Sequence, residues 1–118
     1  MKALLSTATG GPETLAIGEL PRPSAGAGQI VIDVKACAVN FPDVLIIEDK
    51  YQFKPERPFA PGGEVAGLVA EVGEGVTDFK VGDRVIAGCG NGGMAEAIAV
   101  SVHNVYHLPE GHDFAEGA

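Results

Sequence analysis

The stretch Gln29-Ile30-Val31-Ile32-Asp33-Val34-Lys35-Ala36-Cys37-Ala38-Val39, followed directly by Asn40-Phe41-Pro42-Asp43, decides how the chain is read. Ile30, Ile32 and Val34 fall on one face of an extended segment, and Val31 and Lys35 on the other, a period of two. The run is the strongest strand in the sequence. Pro42 is tolerated only in the first turn of a helix, so a short helix starts near Asn40 or Phe41, with Val44 to Ile47 as its apolar content. A buried strand turning into a short helix therefore places a polar residue, Asn40, at the junction. Its amide there is able either to cap the helix or to face a ligand, and composition alone favours capping.

Outward from this junction the pattern is one of short strands. Lys2 to Thr7 and Leu15 to Leu20 read as a hairpin, stopped by Gly10-Gly11-Pro12 and by Pro21-Arg22-Pro23. Asp49 to Pro61 is polar and carries Pro55, Pro58 and Pro61, hence an irregular loop. Val65 to Val72, Arg84 to Ala87, Met94 to Val100 and a piece near Val105 supply the remaining strands. Seventeen glycines and eight prolines in 118 residues suit tight turns between strands and are high for a helical bundle. An apolar fraction of 46% is ordinary for a folded domain, and the length suffices for one core without disulfides.

Charge narrows the partners. Eight Lys and Arg stand against 16 Asp and Glu, a formal net charge of −8. That sign repels phosphate backbones and anionic lipid, which argues against nucleic-acid or membrane binding. Met1 to Ser6 lacks the apolar segment of roughly 7–15 residues that a signal peptide needs. No apolar run approaches the ~20 residues of a membrane span. With two cysteines and no framework, the expected location is the cytoplasm. Near the end, Asp113 reads as an N-cap with Glu116 three residues on, so a helix is expected from Phe114. The expected organisation is one domain over residues 1–112, with 113–118 beginning a helix that is cut short.

Several patterns invite chemistry that their context does not support. Gly88-Cys89-Gly90-Asn91-Gly92-Gly93 satisfies G-x-G-x-x-G, but Ala97 to Val102 after it is strand-like, where a dinucleotide fold needs a helix. A glycine-rich bend between strands is the simpler reading. His103 and His107 have zinc-ligand spacing for a helix, yet on a strand four residues separate the rings by roughly 13 Å. Cys37 reads as a small core residue, and Cys89, in the glycine-rich loop, as open to solvent. Lys50, Lys54 and Arg57 form the local basic cluster, most simply a solvated loop. Tyr51 offers a flat face and one hydroxyl in a proline-bounded loop.

Taken together, Val39-Asn40-Phe41-Pro42-Asp43-Val44-Leu45, Lys50-Tyr51-Gln52 and Pro61-Gly62-Gly63-Glu64-Val65-Ala66-Gly67-Leu68-Val69 carry a resemblance. Val72-Gly73-Glu74-Gly75-Val76, Val81-Gly82-Asp83-Arg84-Val85 and Gly92-Gly93-Met94-Ala95-Glu96 continue it. From Met1 to about Pro109 the chain resembles the N-terminal GroES-like catalytic domain of medium-chain dehydrogenases/reductases, within them the zinc-free quinone oxidoreductase (zeta-crystallin-like) branch. The resemblance implies a mainly β, partly open barrel with one or two short helices, followed by a Rossmann domain beyond Ala118. It implies NADPH or NADH as cofactor, bound mainly by that second domain, and a quinone or activated alkene as substrate. Zinc-dependent members carry Cys at Asn40 and His at Gly63, so no catalytic zinc is expected. Asn40 and Tyr51 are implied beside the nicotinamide and the substrate, with Asp43 supporting them. Many members have Arg where Ile47 stands, a departure that bears on substrate preference. Full-length relatives of this kind are expected to be homo-oligomers. The alternatives are an enoyl-thioester or alkene reductase domain, with Tyr51 as proton donor, and a non-catalytic GroES-like binding module.

Overall fold

The computed structural model describes all residues, 1–118. Its strands follow the periodicities closely. β1 (Lys2–Ser6) pairs antiparallel with β2 (Leu15–Glu19), from Lys2 opposite Glu19 to Ser6 opposite Leu15, and the two form a separate small sheet. The main sheet holds β3 (Gln29–Cys37), β4 (Glu64–Val72), β5 (Arg84–Gly88), β6 (Ala97–Ser101) and β7 (Val105–His107), in the spatial order β6-β3-β4-β5-β7. Every pairing in it is antiparallel. α1 spans Phe41–Ile47 and α2 Phe114–Gly117. The mainly β fold with two short helices is the expected class, and its two sheets stay open; single bridges tie β1 to the segments that flank the main-sheet strands (Ala3 to Ala95, Ser6 to Phe59).

The core lies where β3, β4 and β5 meet. Ile30, Ile32, Val65, Val69, Val85 and Ile98 pack into one cluster, and Ile30 and Ile32 are fully buried. Val31, assigned by alternation to the opposite face of β3, is buried as well. The middle of β3 is therefore covered on both sides, and the register against β4 shifts between Val31 and Ile32 and again between Val34 and Ala36. Such shifts bend a strand and increase its twist.

The helix expected at Phe114 forms. Asp113 accepts from the Glu116 N–H at 2.7 Å, and Glu116 accepts from the Asp113 N–H at 3.0 Å. This reciprocal box satisfies donors that the first turn cannot satisfy internally. The helix sits against the main sheet, its Gly117 close to Ile86 and Leu108, and the Arg84 guanidinium lies 4.8 Å over the Phe114 ring.

Candidate functional site

β3 runs out at Cys37, and after three intervening residues α1 begins, so the strand delivers Asn40 to one end of the main sheet. Asn40 is extended (φ −122°, ψ 161°) as an N-cap residue should be. Pro42 occupies the first turn, where its missing N–H costs nothing. The Asp43 carboxylate, 6% exposed, accepts from the Asn40 backbone N–H at 2.8 Å. In the other direction the Asn40 side chain lies near the Asp43 N–H but makes no cap hydrogen bond; that N–H bonds the Asn40 carbonyl at 3.0 Å. Asn40 and Asp43 thus form the capping box that composition favoured, with the Asp43 carboxylate making its hydrogen-bonded arm.

Asn40, Asp43 and Tyr51 line a single cavity of about 640 Å³ with Phe41, Ile46, Phe53, Gly63, Glu64 and Gly90. The three residues expected at the site, and Gly63 with them, are brought together by α1, the following loop and the start of β4. Tyr51 is 39% exposed and Phe53 46% exposed, while Phe41 stands out at the rim. Three aromatic rings, one of them a phenol, around a cleft that also holds an amide make a surface suited to a flat, polar-edged molecule. The charged lining is Asp43 and Glu64, with no lysine or arginine among it.

The floor is built on glycine. Gly62 has φ +105°, and a Cβ there would stand 2.6 Å from the Cys37 sulfur. At Gly63 a Cβ would meet the Gly90 carbonyl oxygen at 3.2 Å, so a side chain at this position needs the opposing glycine-rich loop to give by a few tenths of an ångström. That loop is the bend between strands that the sequence suggested: β5 ends at Gly88, β6 starts at Ala97, and no helix follows the glycines.

Other candidates fall outside the cleft. His103 lies in a 3-10 turn (Val102–Asn104), and His107 in β7 stacks on Phe79 with ring centroids 4.4 Å apart. No group of three or more His, Cys, Asp or Glu side chains is arranged to hold a metal ion. Cys89 is not open to solvent as expected. It is half-buried, packs against the main core and donates to the Gly62 carbonyl at 3.4 Å. Burial, reinforced by Cys37, Asp43 and Glu64, pushes its thiol up to about 12, and burial raises Cys37 too. Neither is an activated nucleophile. Arg57, expected in a solvated cluster, is instead tied to the protein body. Sequence reasoning also missed Phe53, Phe41 and Glu64; the signal available for Phe53 was an aromatic residue two positions from Tyr51 in a loop bounded by prolines.

The chain belongs to the alcohol dehydrogenase GroES-like domain family, whose pattern matches residues 26–110. It is 42% identical to a quinone oxidoreductase of Lama guanicoe over 100% of its own length and 36% of that protein's. Its fold superimposes with a TM-score of 0.95 on the human synaptic vesicle membrane protein VAT-1 homolog-like protein, at 32% identity over 99% of this chain and 37% of that one. The Escherichia coli quinone oxidoreductase complexed with NADPH gives 0.92 at 29% identity, over 99% and 36%. The chain thus spans about a third of the length of the relatives it matches. No helix is long and apolar enough to cross a membrane.

Proposed function

We propose that this chain is the substrate-side domain of an NAD(P)H-dependent oxidoreductase that reduces quinones without zinc. The observation that carries the reading is the convergence of Asn40, Asp43 and Tyr51 on one aromatic cleft. The quinone oxidoreductase relatives, including one complexed with NADPH, support it.

The lining suits the nicotinamide end of the cofactor: flat walls from Tyr51 and Phe53, and an amide at Asn40 able to bond a carboxamide or a quinone carbonyl. It does not suit the cofactor's phosphates, because no cation lines the cleft. We assign those to a nucleotide-binding domain outside residues 1–118, reached through the helix that starts at Phe114. Zinc does not fit the donor set. Thiolate and imidazole are absent from the lining, and Asp43 already bonds the Asn40 N–H.

When bound, the nicotinamide supplies the hydride. The chain's own contribution is positional. Asn40 orients a carbonyl, and the aromatic walls hold two flat systems face to face. Hydride plus one proton converts a quinone to its hydroquinone, and since that reduction needs little acid catalysis, the absence of a metal costs little. The test is turnover of NADPH with a soluble quinone by the full-length enzyme in the presence of a chelator. Unchanged rates are expected; chelator-sensitive oxidation of a simple alcohol would overturn the assignment.

The position of the Tyr51 phenol in the cleft favours a second reading, reduction of an enoyl thioester with Tyr51 as proton donor. Tyr51→Phe separates the two, because a large loss of kcat with an enoyl substrate and a small one with a quinone selects proton donation.

A further inference from the structure

The loop that carries Tyr51 and Phe53 has no regular structure of its own from Asp49 to Pro58. Two side chains at its ends do the work that secondary structure would do. Arg57 donates from one guanidinium nitrogen to the Asp49 carboxylate at 3.0 Å, from a second to the Ile47 carbonyl at 2.9 Å, and from Nε to the Ser6 hydroxyl at 3.2 Å. Its plane lies 5.4 Å from the Phe59 ring centroid. The other Asp49 oxygen accepts from the Thr9 hydroxyl at 2.8 Å.

Each contact joins a different part of the molecule. Ile47 is the last residue of α1, Ser6 the last of β1, and Thr9 sits in the turn between β1 and β2. Asp49 itself adopts φ +56°, the one non-glycine residue of the chain in that region. A left-handed aspartate costs backbone energy that surrounding contacts must offset. The Thr9 hydroxyl and then Arg57 hold its carboxyl below the usual range. Ser6 is fully buried, so its hydroxyl needs a partner, and Arg57 supplies one. The two ends of the excursion are thereby stapled to the helix terminus and to the small sheet, with Tyr51 and Phe53 between them.

We propose that the Arg57–Asp49 pair is the positioning device for this wall of the cleft: it sets the distance of Tyr51 and Phe53 from Asn40 and so the thickness of the molecule the cleft accepts. Arg57 lines no part of the cavity. Its importance for catalysis rests on the function proposed above; its control of the loop does not. The guanidinium is the right group for the task, because its rigid fork reaches three acceptors in fixed directions, whereas a lysine's donors all sit on one rotatable nitrogen.

The chain has no tryptophan and two tyrosines, which makes tyrosine emission a direct reporter. In a Tyr106→Phe background, Tyr51 becomes the sole emitter, and acrylamide quenching reports its local mobility. Arg57→Met is expected to raise the Tyr51 quenching constant roughly twofold, as a locally opened loop becomes populated, with the far-UV circular dichroism unchanged. Arg57→Lys should fall between Met and the parent. The reciprocal background, Tyr51→Phe, leaves Tyr106 as reporter and should show no change with any Arg57 variant. A folded Arg57→Met with unaltered Tyr51 quenching overturns the proposal. Should Arg57→Met not fold, Thr9→Ala decides it: this variant removes one bond to Asp49 and should raise Tyr51 quenching partway, and no rise overturns the proposal. In the full-length enzyme, Arg57→Met should raise KM for a flat quinone more than it lowers kcat. Greater Tyr51 mobility without any effect on quinone kinetics would leave the clamp standing and count against the proposed function.

Discussion

The buried carboxylate of Asp43 holds the backbone N–H of Asn40 at 2.8 Å, and through that bond the first turn of α1 fixes the residue at the mouth of the cleft. This is the arm of the capping box that runs backwards, from inside the helix to the residue before it. Asp43→Ala leaves the Asn40 N–H without its partner and should destabilise by about 1 kcal/mol, the usual cost of a lost cap. A fall of a few degrees in Tm is the expected readout by circular dichroism. Asp43→Asn keeps an acceptor at the same place and should lose less. Equal melting of the alanine variant and the parent would mean that the carboxylate does not fix the junction.

Gly67 of β4 pairs with Val34 of β3, and a Cβ at Gly67 would lie 2.0 Å from the carbonyl oxygen of the preceding residue, Asp33. Both atoms belong to the two central strands, so neither yields without moving the sheet. Gly67→Ala should cost at least the ~1–3 kcal/mol typical of overpacking. Gly88→Ala is the control: nothing lies within 4 Å of a Cβ there and its φ is not in the left-handed region. Thermal melts of the two variants should differ widely, and a stable Gly67→Ala chain would contradict the strand approach.

These two positions also show what could be read before the fold was known. The strand from Gln29, the helix opened by Pro42 and the box of Asp113 with Glu116 were legible because each depends on neighbours in sequence. Gly67 stood in a quoted motif, but its reason, the Asp33 carbonyl, lies thirty-odd residues away. The meeting of Asn40 with Tyr51 followed from a family resemblance and not from spacing. Arg57 was misjudged for the same cause: its partners Ser6 and Ile47 are distant or are backbone carbonyls, which composition does not display. Cys89 sits in a glycine-rich loop, a context that usually means exposure, yet the loop folds inward over Gly62 and Gly63.

Cys89 allows a prediction with a definite sign. Its folded-state value of about 12 lies above the ordinary thiol value of about 8.5, first because burial disfavours the thiolate and then because Cys37, Asp43 and Glu64 are nearby. A group raised in the folded state binds its proton more tightly there than in the unfolded chain. Stability from this thiol is therefore fully present below about pH 8.5 and is lost as pH rises toward 12. Iodoacetamide at pH 9 should then label Cys89 in the native chain at least ~10-fold more slowly than in urea, where the thiolate is accessible. Peptide mapping distinguishes it from Cys37, which is raised in the same direction. Native labelling of Cys89 as fast as in the unfolded chain would show that the loop opens, and with it the floor formed by Gly62 and Gly63.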